Sequence, residues 1–303
     1  MRRWLMLFLA AALCACSPSA RPASAPPLRV VLIPADGGTE AGTKADYQPL
    51  FNAIARSTGL AFDIRVGQSY GAVVEALCNG AADVAFVGPV TYLQAAERGC
   101  AELLAVAVEN GRSDYYAGLF ARADSPIAGL KDLKGASVAF GDVNSASSFV
   151  FPMAMILEAG LDPVKDLGEI RLAGSHANSL AALVQGQVDA AALSFDSFDK
   201  AARQGAVDPK TVKVVARSQA IPYPPIIMST RLSPELKAQL KAAFAQVHTA
   251  PGVSPEMIRG YGGKLVDRYD SAFPPERFET AARTMALLDD DTKGEILAKA
   301  GRR

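Results

Sequence analysis

The chain has 303 residues, half of them hydrophobic, with 31 basic and 31 acidic side chains and two histidines. That length and apolar content suffice for two domains of ordinary size. Balanced charge without a basic cluster argues against nucleic acid, and two histidines beside four cysteines make no zinc or haem pattern, so no metal or cofactor is expected.

Residues 1–16, MRRWLMLFLAAALCAC, put two arginines before an apolar run too short for a permanent membrane span and end on a cysteine, the form of an export signal. Leu13-Cys14-Ala15-Cys16 resembles the bacterial lipobox, with Cys16 the lipidated residue; Cys14 fits less well because Leu13 would occupy the cleavage position. Residues 17–27 contain only Ser, Pro, Ala and Arg, which suits a flexible tether. Without Arg2 and Arg3, 29 basic residues face 31 acidic ones. Cys78 and Cys100 then remain, and in an exported protein such a pair is more often a disulfide than a metal site.

From Leu28 the pattern alternates. Strands are expected at Leu28 to Ile33, Phe62 to Val66, Val84 to Val87 and Leu103 to Val108, with helices at Tyr47 to Thr58, Tyr70 to Cys78 and Thr91 to Arg98. Alternation of this kind predicts a mainly parallel sheet with helices on both faces and ligands at the carboxyl ends of the strands. A chain crossing is expected near 112–120 and another near 217–227, where Ile221-Pro222-Tyr223-Pro224-Pro225 is too proline-rich for a helix. Ser233-Pro234-Glu235 opens a helix, and 275–288 and 292–300 read as further helices packed on the first lobe.

An internal repeat ties the halves together. Displacing the chain by 106 residues lays Asp63 to Val87 on Glu169 to Leu193 with 8 of 25 identities, and sets the strand near Leu32 on the one near Val138. Two similar α/β lobes follow, with facing loops converging on one cleft. The expected division is 28–114 with 220–303 as lobe 1 and 115–219 as lobe 2.

The stretch Gly141 to Pro152, GDVNSASSFVFP, lies between the apolar run Ser137 to Phe140 and a helical pattern. A strand that turns through serines into a helix presents unpaired N–H groups with a partial positive charge behind them, which is an anion socket. Ser145, Ser147 and Ser148 add hydroxyl donors, and no Lys or Arg is adjacent in sequence, so the anion would be held by neutral dipoles.

Taken together, Ser69-Tyr70, the run Ala81 to Tyr92, Asp124 to Ile127 with Leu130 to Gly135, the serine turn, Gly174-Ser175-His176, Gly186 to Ala191 and Ile221-Pro222 resemble the substrate-binding proteins of ABC transporters for phosphate, phosphite and phosphonates. The resemblance implies a two-lobed type II periplasmic binding protein, each lobe a mainly parallel sheet flanked by helices. It further implies a monomer that is not an enzyme, held at the membrane only by its lipid, which binds a small oxyanion and hands it to a permease. The anion contacts it implies are Ser145, Ser147 and the turn N–H groups, His176, Asp196, Tyr70 and Tyr92, with Ala146 and Ser148 completing the ligand-binding turn. The family's turn usually reads Ser-Thr-Ser-Gly, so Ala146 and Ser148 are departures. An ionised Asp196 only accepts hydrogen bonds and would favour an anion that carries an OH over a fully ionised one. Tyr47, Tyr115 and Tyr223 are expected in packing or at the hinge. Two other readings start from the same residues: a sensory module for a membrane receptor, and an exported hydrolase using a serine of the turn with His176 and Asp196.

Overall fold

The computed structural model describes residues 26–35 and 40–301. The expected leader, Cys16 and most of the tether lie outside the described residues, as do positions 36–39 of the loop after Ile33.

Two sheets form. The first runs Arg268–Asp270, Ala101–Val108, Pro225–Ser229, Val84–Phe86, Leu28–Leu32, Phe62–Val66; the second runs Val212–Arg217, Ala117–Arg122, Ala190–Ser194, Ser137–Phe140, Glu169–Leu172. In each sheet the strand second from one edge, Leu28–Leu32 or Ser137–Phe140, is parallel to both neighbours. The strand by which the chain enters from the other lobe, Pro225–Ser229 or Ala117–Arg122, is antiparallel to its neighbours. It starts at the hinge and runs outward, whereas the parallel strands run toward the cleft. Between the sheets Asp114–Tyr115 pairs antiparallel with Ile221–Pro222, making a two-stranded hinge. A short ribbon tolerates Pro222 because few ladder positions need its missing N–H.

Apolar faces close each layer. Leu50, Phe51 and Ile54 of the helix Glu40–Thr58 are buried, and Phe51 meets Phe244 edge-on at 6.2 Å. In the second lobe Phe120 stacks on Phe198 at 4.9 Å beside buried Leu180, Leu183 and Leu193. Cys78 and Cys100 form a disulfide with Cα atoms 4.9 Å apart. It closes a loop of about twenty residues, a constraint of roughly 3 kcal/mol. Among the described residues no helix is long and apolar enough to cross a membrane.

The repeat is visible in the registers. Asp63 and Glu169 hold equivalent places opposite their first strands, as do Val84 and Ala190. The first strands are offset by two further residues, Val30 corresponding to Val138, so the single displacement read from sequence fails there. The first helix begins at Glu40 rather than Tyr47 and carries Pro49 inside it. The edge strand Arg268–Asp270 is too short and polar to have been marked by its pattern.

One assignment needs correction. Residues 220–303 were expected to build the first lobe, but the last helix, Asp290–Ala300, packs on the edge strand Glu169–Leu172 of the second. Lys299 Nζ donates to the carbonyl oxygens of Val164 and Leu167 there, capping a short helix end that would otherwise lack donors. The preceding helix Glu279–Ala286 lies across the hinge, touching Pro89–Glu97 of one lobe and Phe151–Glu158 of the other.

Candidate ligand-binding site

The lobes are closed on each other, and the serine turn lies buried between them. After Phe140 the chain passes Gly141, where an added Cβ would stand 2.2 Å from Ser148 Oγ, so a side chain at 141 would displace the turn. Ser145 caps the helix, its hydroxyl accepting Ser148 N–H at 3.2 Å. The helix then opens with a π turn, Val150 N–H reaching Ser145 O at 3.0 Å, which widens its first ring of donors. Ser145, Ala146, Ser147 and Ser148 are all buried. Ser148 Oγ has no hydrogen-bond partner among the described residues, a costly state for a buried hydroxyl.

Helices Tyr70–Cys78, Pro89–Glu97, His176–Val184 and Phe195–Arg203 likewise follow strands that end at the cleft, with N-caps Ser69, Gly88, Ser175 and Ser194. Their aligned dipoles make the cleft electropositive without a cation at the turn. Ser69 and Ser175, equivalent in the repeat, each cap through the same bond, to Ala72 N–H at 3.1 Å and Asn178 N–H at 3.2 Å.

The same equivalence governs closure. Tyr70 N–H donates across the cleft to Asp142 Oδ2 at 3.2 Å, and His176 N–H donates the opposite way to Ala35 O at 3.0 Å. Each lobe thus gives the first N–H of its helix to the loop after the other lobe's first strand. Asn144 adds two bonds, accepting Gln94 Nε2 at 2.9 Å and Thr91 Oγ1 at 3.3 Å. Burial pushes the Asp142 carboxyl above the usual range even though Asn144 and Tyr70 N–H groups point at it.

His176 is buried, and its Nδ1 accepts Ser194 N–H at 3.0 Å, which fixes the neutral tautomer with the proton on Nε2. Tyr70 is buried beside Gly88, and Tyr92 packs edge-to-face on Phe278 at 4.9 Å, its phenol raised by burial and by Glu276. Asp196 has a partner that its sequence surroundings did not indicate. Its Oδ1 accepts Lys264 Nζ at 2.9 Å, and the same ammonium lies 2.6 Å from Glu109. Asp196 is thus paired with a cation 68 residues away in sequence. Asp196 Oδ1 accepts from Lys264 and His176 Nδ1 from a backbone amide, so among the described residues neither atom makes the acid-to-histidine bond of a hydrolytic triad.

Sequence reasoning passed over Tyr261. Its ring sits 6.2 Å from His176, 6.0 Å from Tyr115 and 6.1 Å from Phe86, and its hydroxyl lies 2.9 Å from Ser197 Oγ. Tyr115, buried in the hinge, turns its hydroxyl toward the Ser147 side chain and has its phenol raised by burial. Tyr47 packs against Phe86 in a tilted pair at 4.6 Å, and Tyr115 meets Tyr223 across the hinge at 6.0 Å. The signal for Tyr261 was the aromatic followed by two glycines, Gly262 and Gly263, both with positive φ, which marks a tight turn carrying a large side chain.

Residues 38–262 match the family of periplasmic substrate-binding proteins of ABC phosphonate transporters. The chain belongs to this family. The phosphate-import protein PhnD of Mycolicibacterium smegmatis is 33% identical over 252 residues, 77% of each chain. The phosphonates-binding periplasmic protein of Escherichia coli is 25% identical over 213 residues, 69% of this chain and 63% of that one. In fold, the chain superposes on a binding protein component of an ABC phosphonate transporter from Pseudomonas aeruginosa with TM-score 0.76, at 20% identity, over 91% of this chain and 90% of that one. It is accordingly a periplasmic binding component of the phosphonate and phosphate ABC transport type.

Proposed function

We propose that this protein closes its two lobes over a small phosphorus oxyanion, a phosphonate, phosphite or phosphate, and presents the closed form to an ABC permease while tethered to the membrane by a lipid on Cys16. The observation that carries this reading is the buried serine turn at a helix N-terminus, with the Ser148 hydroxyl lacking any partner among the described residues. The turn N–H groups with Ser145, Ser147 and Ser148 hold the anion, His176 donates from Nε2, and Tyr70 and Tyr92 wall the cleft. Ala146 places a methyl where the family's threonine would add a hydroxyl, leaving room for an apolar substituent on phosphorus. Asp196, with Oδ1 on Lys264, keeps Oδ2 for an OH of the ligand. Ligand contacts to both lobes favour the closed state by their differential affinity, so transport needs binding and release without chemistry.

The test compares two variants by calorimetry with phosphate and sulfate. Asp196→Asn removes an acceptor that selects protonated oxyanions, so the preference for phosphate should narrow by about tenfold, roughly 1.4 kcal/mol. Ser147→Ala should weaken both anions together, because its donor does not sense the far oxygen. A selectivity ratio unchanged in Asp196→Asn would remove Asp196 from the ligand's contacts.

A further inference from the structure

The turn from Gly260 to Lys264 enters the interlobe boundary as a rigid wedge. Gly260 N–H binds Lys264 O at 2.8 Å, and Arg259 Nη1 binds Gly263 O at 2.9 Å. Gly263 has φ +74° and approaches Asp46 so closely that an added Cβ would lie 2.5 Å from Asp46 Oδ1. Asp46 in turn pairs with Lys200 at 2.6 Å. One face of the helix Phe195–Arg203 therefore docks on the first lobe, Asp196 and Ser197 on this wedge through Lys264 and Tyr261, and Lys200 on Asp46 of the adjoining helix Glu40–Thr58.

Within this docking face the position of Lys264 is particular. Its ammonium is shared between Glu109, at the end of the last first-lobe strand before the hinge, and Asp196 of the second lobe. Lys264 and Glu109 keep less than a third of their side-chain surface and Asp196 about a tenth, at 30, 29 and 11%. Burial alone would lower the lysine's proton affinity, but the two carboxylates outweigh it and raise it, so the cation is retained. Asp199, a further carboxyl on the same helix, is raised by burial and by Asp196.

We propose that Lys264 is the residue that sets how strongly Asp196 discriminates between protonated and fully ionised oxyanions, by aiming one carboxylate oxygen and offsetting its charge in the closed state. The inference rests on the proposed contact of Asp196 with the ligand. A bare carboxylate facing the anion would repel it regardless of closure. Shared with Lys264, it accepts a hydrogen bond at reduced repulsion. Because Lys264 belongs to the first lobe and Asp196 to the second, that balance exists only when the lobes are together.

The probes are inorganic phosphate and sulfate, with affinities from calorimetry on the full mature protein. Lys264→Met exposes the Asp196 charge, so sulfate should lose about tenfold more affinity than phosphate, the Coulomb effect of one unit charge a few ångströms away in a partly solvated site. Lys264→Arg should restore the parental ratio, since guanidinium also pairs with carboxylate. Glu109→Gln removes the competing anion and should shift the ratio the other way, toward sulfate; it serves equally if Lys264→Met folds poorly. Equal losses for both anions in Lys264→Met, or an unmoved ratio in Glu109→Gln, would overturn the proposal and leave Lys264 as a lobe-closing strut. The Asp196→Asn variant separates the two levels: if it narrows selectivity while the Lys264 and Glu109 variants do not, the ligand contact stands and this inference falls.

Discussion

Replacing Asp142 tests whether the cross-lobe bonds do the closing. Its Oδ2 accepts Tyr70 N–H at 3.2 Å from the opposite lobe, and its Oδ1 accepts Asn144 N–H at 2.8 Å within its own turn. Only the first bond is lost when the lobes open. A hydrogen bond to a charged group contributes about 1.5–3 kcal/mol, and a donor distance at the long limit argues for the lower figure. About 1.5 kcal/mol is roughly a tenfold change in the closed-to-open ratio. Apparent affinity scales with the closed fraction while that fraction is small. Asp142→Ala should therefore raise the calorimetric Kd for phosphate about tenfold and enlarge the ligand-free protein in solution scattering. Asp142→Asn keeps an oxygen for one N–H and sheds a buried charge, so it should stay within about threefold of the parent. The pH dependence has a definite sign. With the carboxyl raised in the folded state, its favourable contribution is complete below the ordinary value of about 3.9 and is lost as pH rises through the raised value. Melting temperatures of Asp142→Asn should lack that decline. If Asp142→Ala binds phosphate as tightly as the parent and only melts lower, the carboxylate supports its own turn and the closure argument fails.

Two further outcomes are expected. Gly141→Ala sets a methyl 2.2 Å from Ser148 Oγ, so the turn must shift; phosphate affinity should fall at least about tenfold with the circular dichroism spectrum unchanged, and unaltered binding would show that the turn is not the socket. Cys16→Ser should move the protein from the membrane to the soluble periplasmic fraction with binding intact, and retention in the membrane would reject the lipid anchor.

Local chemistry made much of this protein legible. Alternating strands and helices, the helix start at Ser233 and the serine turn all depend on interactions within a few residues, so periodicity and spacing carried them. The repeat was legible too, because both lobes solve the same packing problem with the same strand and cap positions. The pairing of distant charges was not. Lys264 meets Asp196 across 68 residues, and nothing in the sequence around either residue names the other. Tyr261 enters the cleft from a turn whose glycines mark a bend but not its direction. The last helix illustrates the limit best. Its pattern predicts a helix, but which lobe it covers depends on the path of Glu279–Ala286 over the hinge, and on carbonyls at Val164 and Leu167 that only the folded second lobe brings to Lys299. Local hydrogen bonds and apolar periods are encoded residue by residue, whereas ion pairs and lobe contacts form only after the chain has passed between the lobes and they have closed.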